Sequence, residues 1–237
     1  MDEGKMIINI DPHVHTEYSS DCNVSIDQVV TISRRKGLNG VAITDHNSIE
    51  GALRLKEKAG DHFITIVGEE IKTSEGEIGG LFLKEWIPPG LSPEDTIDRI
   101  KSQGGLVFIT HPFCSFRRSR LNFKTLMRII TMVDIVEVFN SRNILRADNE
   151  KAYTFAKEKR KLVMVGSDAH IPYEYGRSYL RIRSFDDGSP DAFKKSLSTA
   201  ALITRKSPLW VHFVTKWVKV RKRSKRNASF EFTMAYL

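Results

Sequence analysis

Cysteine is scarce in this chain, and its scarcity narrows the chemistry. The two present, Cys22 and Cys114, are too few and too isolated for a disulfide framework and form no Cys-x-x-Cys metal pair. Free thiols are expected. Cys114 precedes Arg117, as in cysteine phosphatases, but the residues between them lack the glycine-rich phosphate cradle that such chemistry needs. Long apolar runs are also missing, so no segment can span a bilayer. The N-terminus, with Asp2 and Glu3, lacks a signal peptide's basic start and apolar stretch, and the expected location is cytoplasmic. Acidic residues are absent from one region. Between Arg205 and Arg226 stand nine Lys or Arg and no Asp or Glu, which leaves 28 basic and 29 acidic residues elsewhere. The net charge of +8 therefore belongs to the tail.

The remaining composition, 41% hydrophobic and 28% charged over 237 residues, is that of a soluble globular protein of one domain, or one domain plus an appendage. The chain is organised around Met6 to His15, where a short apolar run ends in Asp11, His13 and His15. In an extended segment residues two apart project to one side, so a single ion can take both ring nitrogens. Two nearby histidines are as readily a hydrogen-bonded pair; repetition favours the metal. Apolar runs also end at Asp45-His46, at Glu69-Glu70, at His111-Pro112 and at Asp168-Ala-His170. Five of the seven histidines sit at these ends, with only His62 and His212 elsewhere.

Between these runs lie helical segments. Helices are expected from Ile26 to Lys36, stopped by Gly37, and from Ser48 to Ala59. Another opens at Ser92-Pro93-Glu94 and runs to Gly104, with a Ser cap and Pro at its first position. Further helices are expected from Asn122 to Ile130, Asn143 to Lys159 and Pro190 to Ser198. The third strand is expected from Phe63 to Val67. Ile71–Thr73 and Ile78–Leu83 then read as a separate hairpin around Ser-Glu-Gly-Glu. Ile135 to Phe139 and Leu162 to Val165 are expected strands; Tyr179–Arg183 and Ala201–Thr204 are two further candidates. Repeated β-α units with polar residues at successive strand ends describe an α/β barrel whose working face is the strands' carboxyl ends. An open doubly wound sheet would confine its site to a switch-point crevice instead of drawing on five strands.

The ordered set Asp11-x-His13-x-His15, Ser20-Asp21, Thr44-Asp45-His46, Gly68-Glu69-Glu70-Ile71, His111-Pro112 and Gly166-Ser-Asp168-Ala-His170 resembles the motifs of the PHP (polymerase and histidinol phosphatase) family over roughly residues 6 to 185. The resemblance implies a distorted seven-stranded (β/α) TIM-like barrel, placed in residues 1–206, and the charge distribution sets a basic amphipathic extension apart in 207–237. It further implies two or three divalent ions (Zn, Mn or Fe) and phosphoesterase activity, as phosphatase or exonuclease. His13, His15 and Asp168 would bind the first ion. Glu70 would bridge it to a second that also takes His111, and Asp21, His46 and His170 would hold a third. Glu70, Asp168 and Asp45 are the candidate catalytic carboxylates, with Asp45 orienting an imidazole or a water from beside His46. Many compact relatives carry a further His on the hairpin, where this chain has Gly79 and Gly80, leaving the second ion one ligand short.

Mixed imidazole and carboxylate donors suit such borderline ions, which lower the pKa of a bound water to about 7 and so supply hydroxide at neutral pH. Glu69 faces away from Glu70 and is expected to be satisfied near the barrel rim. Glu137, inside its strand, is expected to support a ligand. Candidate phosphate-binding residues are Arg117, Arg118, Arg142 and Arg177, each after a strand end, with Asn140 beside them. The expected substrate is a phosphorylated small molecule or nucleotide, including short oligonucleotides; histidinol phosphate is the alternative. The tail interleaves Trp210, Phe213 and Trp217 with basic residues. Its apolar face is expected to pack on the barrel, and Arg221 to Arg226 to attract nucleic acid or another anionic surface. A further alternative is an inactive barrel that binds through this tail.

Overall fold

Alternation and burial along the apolar runs produce a curved sheet that nearly closes on itself. The computed structural model describes residues 6–234, with the side chains of His62 and of residues 225–234 outside the description. The strands are β1 (Ile7–Val14), β2 (Gly40–Ile43), β3 (Ile64–Thr73), β4 (Gly76–Leu81), β5 (Leu106–Ile109), β6 (Ile135–Asn140), β7 (Leu162–Gly166), β8 (Tyr179–Arg183) and β9 (Ala201–Ile203). Their order is β7-β6-β5-β4-β3-β2-β1-β8-β9. β1 has two neighbours on one side. Residues 7–10 pair antiparallel with β8, while further on Val14 bridges Ala169, just beyond β7. The Asp168 amide donates to the His13 carbonyl at 2.8 Å and the His15 amide to the Ala169 carbonyl at 2.9 Å, which closes the barrel where the ligand-bearing ends meet.

β2 and β5 are buried at every position, as expected for strands covered on both faces. The helices α1 (Ile26–Arg35), α2 (Glu50–Ala59), α3 (Pro93–Ser102), α4 (Phe123–Ile129), α5 (Arg146–Glu158) and α6 (Pro190–Leu197) follow the expected pattern, with boundaries displaced by local polar groups. Ser92 Oγ accepts from the Asp95 amide at 3.1 Å, and Asn122 Oδ1 from the Thr125 amide at 2.9 Å. α5 begins three residues later than Asn143, because Asn143 Nδ2 instead donates to Asn149 Oδ1 at 2.6 Å and folds the loop back.

The third strand differs from expectation in length. Ile64 to Thr73 is one strand that changes partner, pairing parallel with β2 up to Val67 and antiparallel with β4 from Gly68. Gly68 marks the exchange, since a Cβ there would lie 2.8 Å from the Gly80 carbonyl oxygen and 3.0 Å from that of Ile43. This exchange places β4 antiparallel between β3 and β5 and carries Glu70 to the barrel mouth.

The last element among the described residues is α7 (Trp210–Met234). Val211, Thr215 and Val218 are buried beneath it, as expected for an apolar face resting on the barrel. Lys222 Nζ ties the helix to the loop after β1 by donating to the carbonyls of Glu17, Ser19 and Cys22 at 2.6, 2.8 and 2.5 Å. The opposite face is open, with Phe213 74% and Trp217 58% exposed. Of the basic run Arg221 to Arg226, the side chains of Lys225 and Arg226 lie outside the described residues. No helix among the described residues is long and apolar enough to cross a membrane.

Candidate metal centre

Five strand ends bring their polar residues to one place. His13 Nε2 and His15 Nε2 lie 3.2 Å apart, and His15 Nε2 is 3.2 Å from Asp168 Oδ1. Glu70 stands at the centre, with Oε2 3.6 Å from His13 Nε2, 3.5 Å from His15 Nε2 and 3.2 Å from His46 Nδ1, and with Oε1 2.9 Å from His111 Nε2. Asp21 Oδ1 approaches His170 Nε2 at 3.3 Å and His46 Nε2 at 3.8 Å. Two of the three sequence-derived ligand groups are thus compact, and His111 joins them through Glu70. His111 and Asp168 adopt φ of 31° and 54°, a conformation that non-glycine residues rarely take and that turns both side chains back over the strand ends.

Three donor sets have their ligand atoms within 4.8 Å of one another: His13, His15 and Asp168; His15, His46 and His170; His46, Glu70 and Glu77. Asp21 Oδ1, Glu70 Oε2, Glu77 Oε2 and Asp168 Oδ1 are buried without any hydrogen-bond partner. A buried carboxylate oxygen without a donor is costly, and these four, three of them 3.2 or 3.3 Å from imidazole nitrogens, form a site that a divalent cation completes. The residues present fit such an ion.

The charges point the same way. Burial opposes ionisation of Asp168, but the Arg117 guanidinium and His13 outweigh it and hold the carboxyl well below its usual range. Glu70 is likewise held low, as His46 and His111 overcome burial. His15 is driven well below the usual imidazole range by burial and by His170 and His46, which keeps it in the neutral form that binds metals.

The supporting contacts are equally defined. Glu137 Oε1 lies 2.9 Å from His13 Nδ1, while Oε2 accepts from the His111 amide at 2.7 Å. It therefore holds both His13 and His111 in place. Asn140 Nδ2 donates to Glu137 Oε2 and to Asp168 Oδ2, both at 3.1 Å, so this buried amide is committed to positioning Asp168. Asp11 accepts from the Ser167 and Gly176 amides at 3.0 Å, and burial pushes its carboxyl up to about 7. Glu69 points away, with Oε2 accepting from the Ile87 amide at 3.1 Å.

Asp45 requires a correction. Its oxygens accept from the Thr16 amide, Thr16 Oγ1 and Ser19 Oγ at 2.6, 2.5 and 2.8 Å, leaving it buried and committed. It acts at one remove, because Ser19 Oγ lies 3.1 Å from His15 Nδ1, and it is not a catalytic carboxylate. The arginines also divide. Arg117 reaches the cluster, bonding Asp168 through Nη2 and approaching His111 Nε2 at 3.0 Å through Nη1. Arg142 lines the same cavity, with Nη1 donating to Glu174 at 3.1 Å and Nη2 to Thr215 Oγ1 at 2.9 Å, while Nε is left without a partner. Arg177 bonds the Lys206 carbonyl and covers the Tyr173 ring, and Arg118 is exposed outside the cavity wall, so neither is brought to the site.

A cavity of about 430 Å³ opens over Asp21, His46 and His170. Its walls add residues absent from the sequence-based set: Glu77, Lys72, His212 and Lys219. The first two were accessible in principle, since pairing across the Ser-Glu-Gly-Glu turn sets Lys72 opposite Glu77 on the face that carries Glu70. His212 and Lys219 gave no local signal, because only the docking of α7 brings them over the barrel. Lys219 Nζ lies 3.8 Å from Asp21 Oδ2.

The PHP domain profile matches residues 11–196. Uncharacterized protein MJ0417 of Methanocaldococcus jannaschii is 34% identical over 231 residues, covering 93% of each chain. Uncharacterized protein MJ1587 of the same organism is 41% identical over 143 residues, covering 55% of this chain and 81% of that protein. A two-domain protein from Bacteroides vulgatus, containing a predicted PHP-like metal-dependent phosphoesterase, has a TM-score of 0.69 at 19% identity, covering 86% of this chain and 66% of that one. The lesion-specific endonuclease PfuEndoQ from Pyrococcus furiosus has a TM-score of 0.61 at 17% identity, covering 83% of this chain and 57% of that one. The likeness to these two structures is one of fold, and this chain spans just under two thirds of the first and little more than half of the second.

Proposed function

The chain belongs to the PHP domain family, and on that premise we propose that it is a metal-dependent phosphoesterase acting on nucleotides or short oligonucleotides. One observation carries the reading: buried carboxylate oxygens with no partner face imidazole nitrogens at the mouth of a barrel and open onto a cavity walled by Arg117, Lys72 and Lys219. His13, His15 and Asp168 would hold one ion. Glu70 and His111 would hold a second, and Asp21, His46 and His170 a third. Bound divalent ions of the Zn, Mn or Fe type supply a water acidified toward neutral pH and neutralise phosphate charge.

The chain's own residues set the frame for that chemistry. Glu137 engages His13 Nδ1 and so leaves Nε2 as the donor toward the cluster. Arg117 presents a guanidinium held by Asp168 at the cavity wall, where it meets phosphate oxygens. Cys114 is not the nucleophile, because burial raises its thiol despite the opposing pull of the Arg117 charge. A cavity of about 430 Å³ suits a nucleotide or a strand end. The endonuclease likeness agrees with a nucleic-acid substrate, while histidinol phosphate is the small-molecule alternative.

The division into a barrel at 1–206 and an extension at 207–237 belongs to the same proposal, with the first turns of the extension serving as cavity wall. Exposed Phe213 and Trp217, with Arg221 5.2 Å above the Trp217 ring, favour a second role for α7 as a stacking platform for single-stranded nucleic acid. The test is elemental analysis of the purified protein, followed by assay of the Mn²⁺- or Zn²⁺-loaded sample on phosphomonoesters, nucleoside bisphosphates and short RNA or DNA. Metal-loaded protein that leaves all of them intact overturns the reading. Salt-dependent binding that survives His13→Ala, without turnover in the parent, would instead indicate an inactive barrel that binds through its tail.

A further inference from the structure

We propose that Glu77 is a metal ligand, so that the β3–β4 hairpin joins the cluster through a carboxylate; this rests on the reading of the site as a divalent-metal centre. Glu77 stands on β4 across from Lys72, and two residues further on Gly79 stands across from Glu70, so all four share the face that looks into the barrel mouth. Glu77 lines the cavity there, is only 9% exposed, and has no hydrogen-bond partner at Oε2. Its cross-strand neighbour Lys72 is exposed and does not bond that oxygen.

One oxygen of Glu77, one of Glu70 and a ring nitrogen of His46 lie within 4.8 Å of one another. Glu70 Oε2 is itself without a hydrogen-bond partner and sits 3.2 Å from His46 Nδ1. Two buried carboxylates brought this close repel, and a divalent cation between them turns the repulsion into binding. Two oxygens and one imidazole nitrogen suit Mn²⁺, Fe²⁺ or Zn²⁺.

Packing explains why the donor is at 77. The position directly across from Glu70 is closed, since a Cβ at Gly79 would fall on the Phe108 ring, which packs edge-on at 6.0 Å from His13. The next inward position toward the turn is Glu77, and its longer side chain spans the added distance.

The test compares the parent with Glu77→Gln, which keeps shape and removes charge, and with Glu77→His, which restores a donor. Each protein is equilibrated with Mn²⁺, desalted and analysed for metal per chain, with titration calorimetry for affinity and circular dichroism to confirm folding. Glu77→Gln is expected to lose one ion per chain, or to bind its weakest ion tenfold or more weakly, while Glu77→His retains more than Glu77→Gln. Stoichiometry and Kd unchanged in Glu77→Gln overturn the proposal, as does a parent that binds no Mn²⁺. A panel of phosphate esters run on the same samples separates the two readings. Glu77-dependent Mn²⁺ binding without turnover leaves the ligand assignment standing and removes the phosphoesterase. Turnover in the parent with Mn²⁺ binding indifferent to Glu77 does the reverse.

Discussion

Replacing Glu137 with Gln tests how the cluster is held, because the change is nearly isosteric and its consequence can be worked out atom by atom. Glu137 Oε1 faces His13 Nδ1 at 2.9 Å, and Oε2 faces two donors, the His111 amide at 2.7 Å and Asn140 Nδ2 at 3.1 Å. A glutamine has one oxygen and one NH2 group. If its oxygen serves His111 and Asn140, the NH2 points at His13 and forces Nδ1 to accept. The ring proton then moves to Nε2, the nitrogen 3.2 Å from His15 Nε2, and blocks it as a donor to metal. If the amide flips, its NH2 confronts the His111 N–H and leaves a buried backbone donor unmet, at a cost of about 1–3 kcal/mol. Either way metal affinity is expected to fall about 10- to 100-fold, the usual effect of losing such a support, or about 1.4–2.7 kcal/mol. Calorimetric titration of the metal-free proteins with Mn²⁺ measures this directly, with circular dichroism as the folding control. A Glu137→Gln protein that folds and binds its tightest ion within twofold of the parent refutes the account of His13.

Three further outcomes follow from named contacts. Arg117→Lys keeps the charge but loses the planar fork that reaches both Asp168 and His111, so KM for a phosphate ester is expected to rise about tenfold; steady-state kinetics showing an unchanged KM would count against the arginine as phosphate ligand. Lys222→Met removes three hydrogen bonds to the loop after β1, and urea titration should show a loss of about 1.5–3 kcal/mol with faster amide exchange in residues 17–23; unchanged exchange there would show that α7 does not hold the loop. His212 is pushed down to about 4 by burial and by Arg142 and Arg117. Its folded value is below the unfolded 6.5, so the unfolded chain binds more protons between these pH values and stability falls as pH drops from about 6.5 to 4. His212→Asn is expected to flatten that loss by about 1–2 kcal/mol, discounted because the group is only half buried, and parallel stability curves for parent and variant would refute this.

Much of the barrel was legible because its signals are local. A fully buried parallel strand reads as an unbroken apolar run, and β2 and β5 do so. Helix starts at Ser92-Pro93 and Asn122 declare themselves through capping chemistry. The cluster of imidazoles and carboxylates at the barrel mouth was legible for the same reason, since a strand that stops at His or Asp delivers it there. Signals failed where a residue's partner is remote. Nothing within Ile64–Val67 announces that the strand continues by exchanging β2 for β4. Nothing near Arg142 shows that Glu174 and Thr215 bond the two Nη atoms of its guanidinium, nor near Arg177 that the Lys206 carbonyl accepts from it. Asp45 followed the strand-end pattern, yet the loop after β1 folds over it and occupies its oxygens.

By itself, then, the sequence determined which residue types stand at each strand end, because periodicity and chain punctuation act over a few residues. Closure of the barrel decided what those residues touch. Glu137 meets His13 across 124 positions, Lys222 meets the Glu17 carbonyl across 205, and Glu77 faces Glu70 only once the hairpin register is set. Hydrogen bonds and buried charges are satisfied by atoms a few ångströms away in space, and only the packed sheet and the docked C-terminal helix specify which atoms those are.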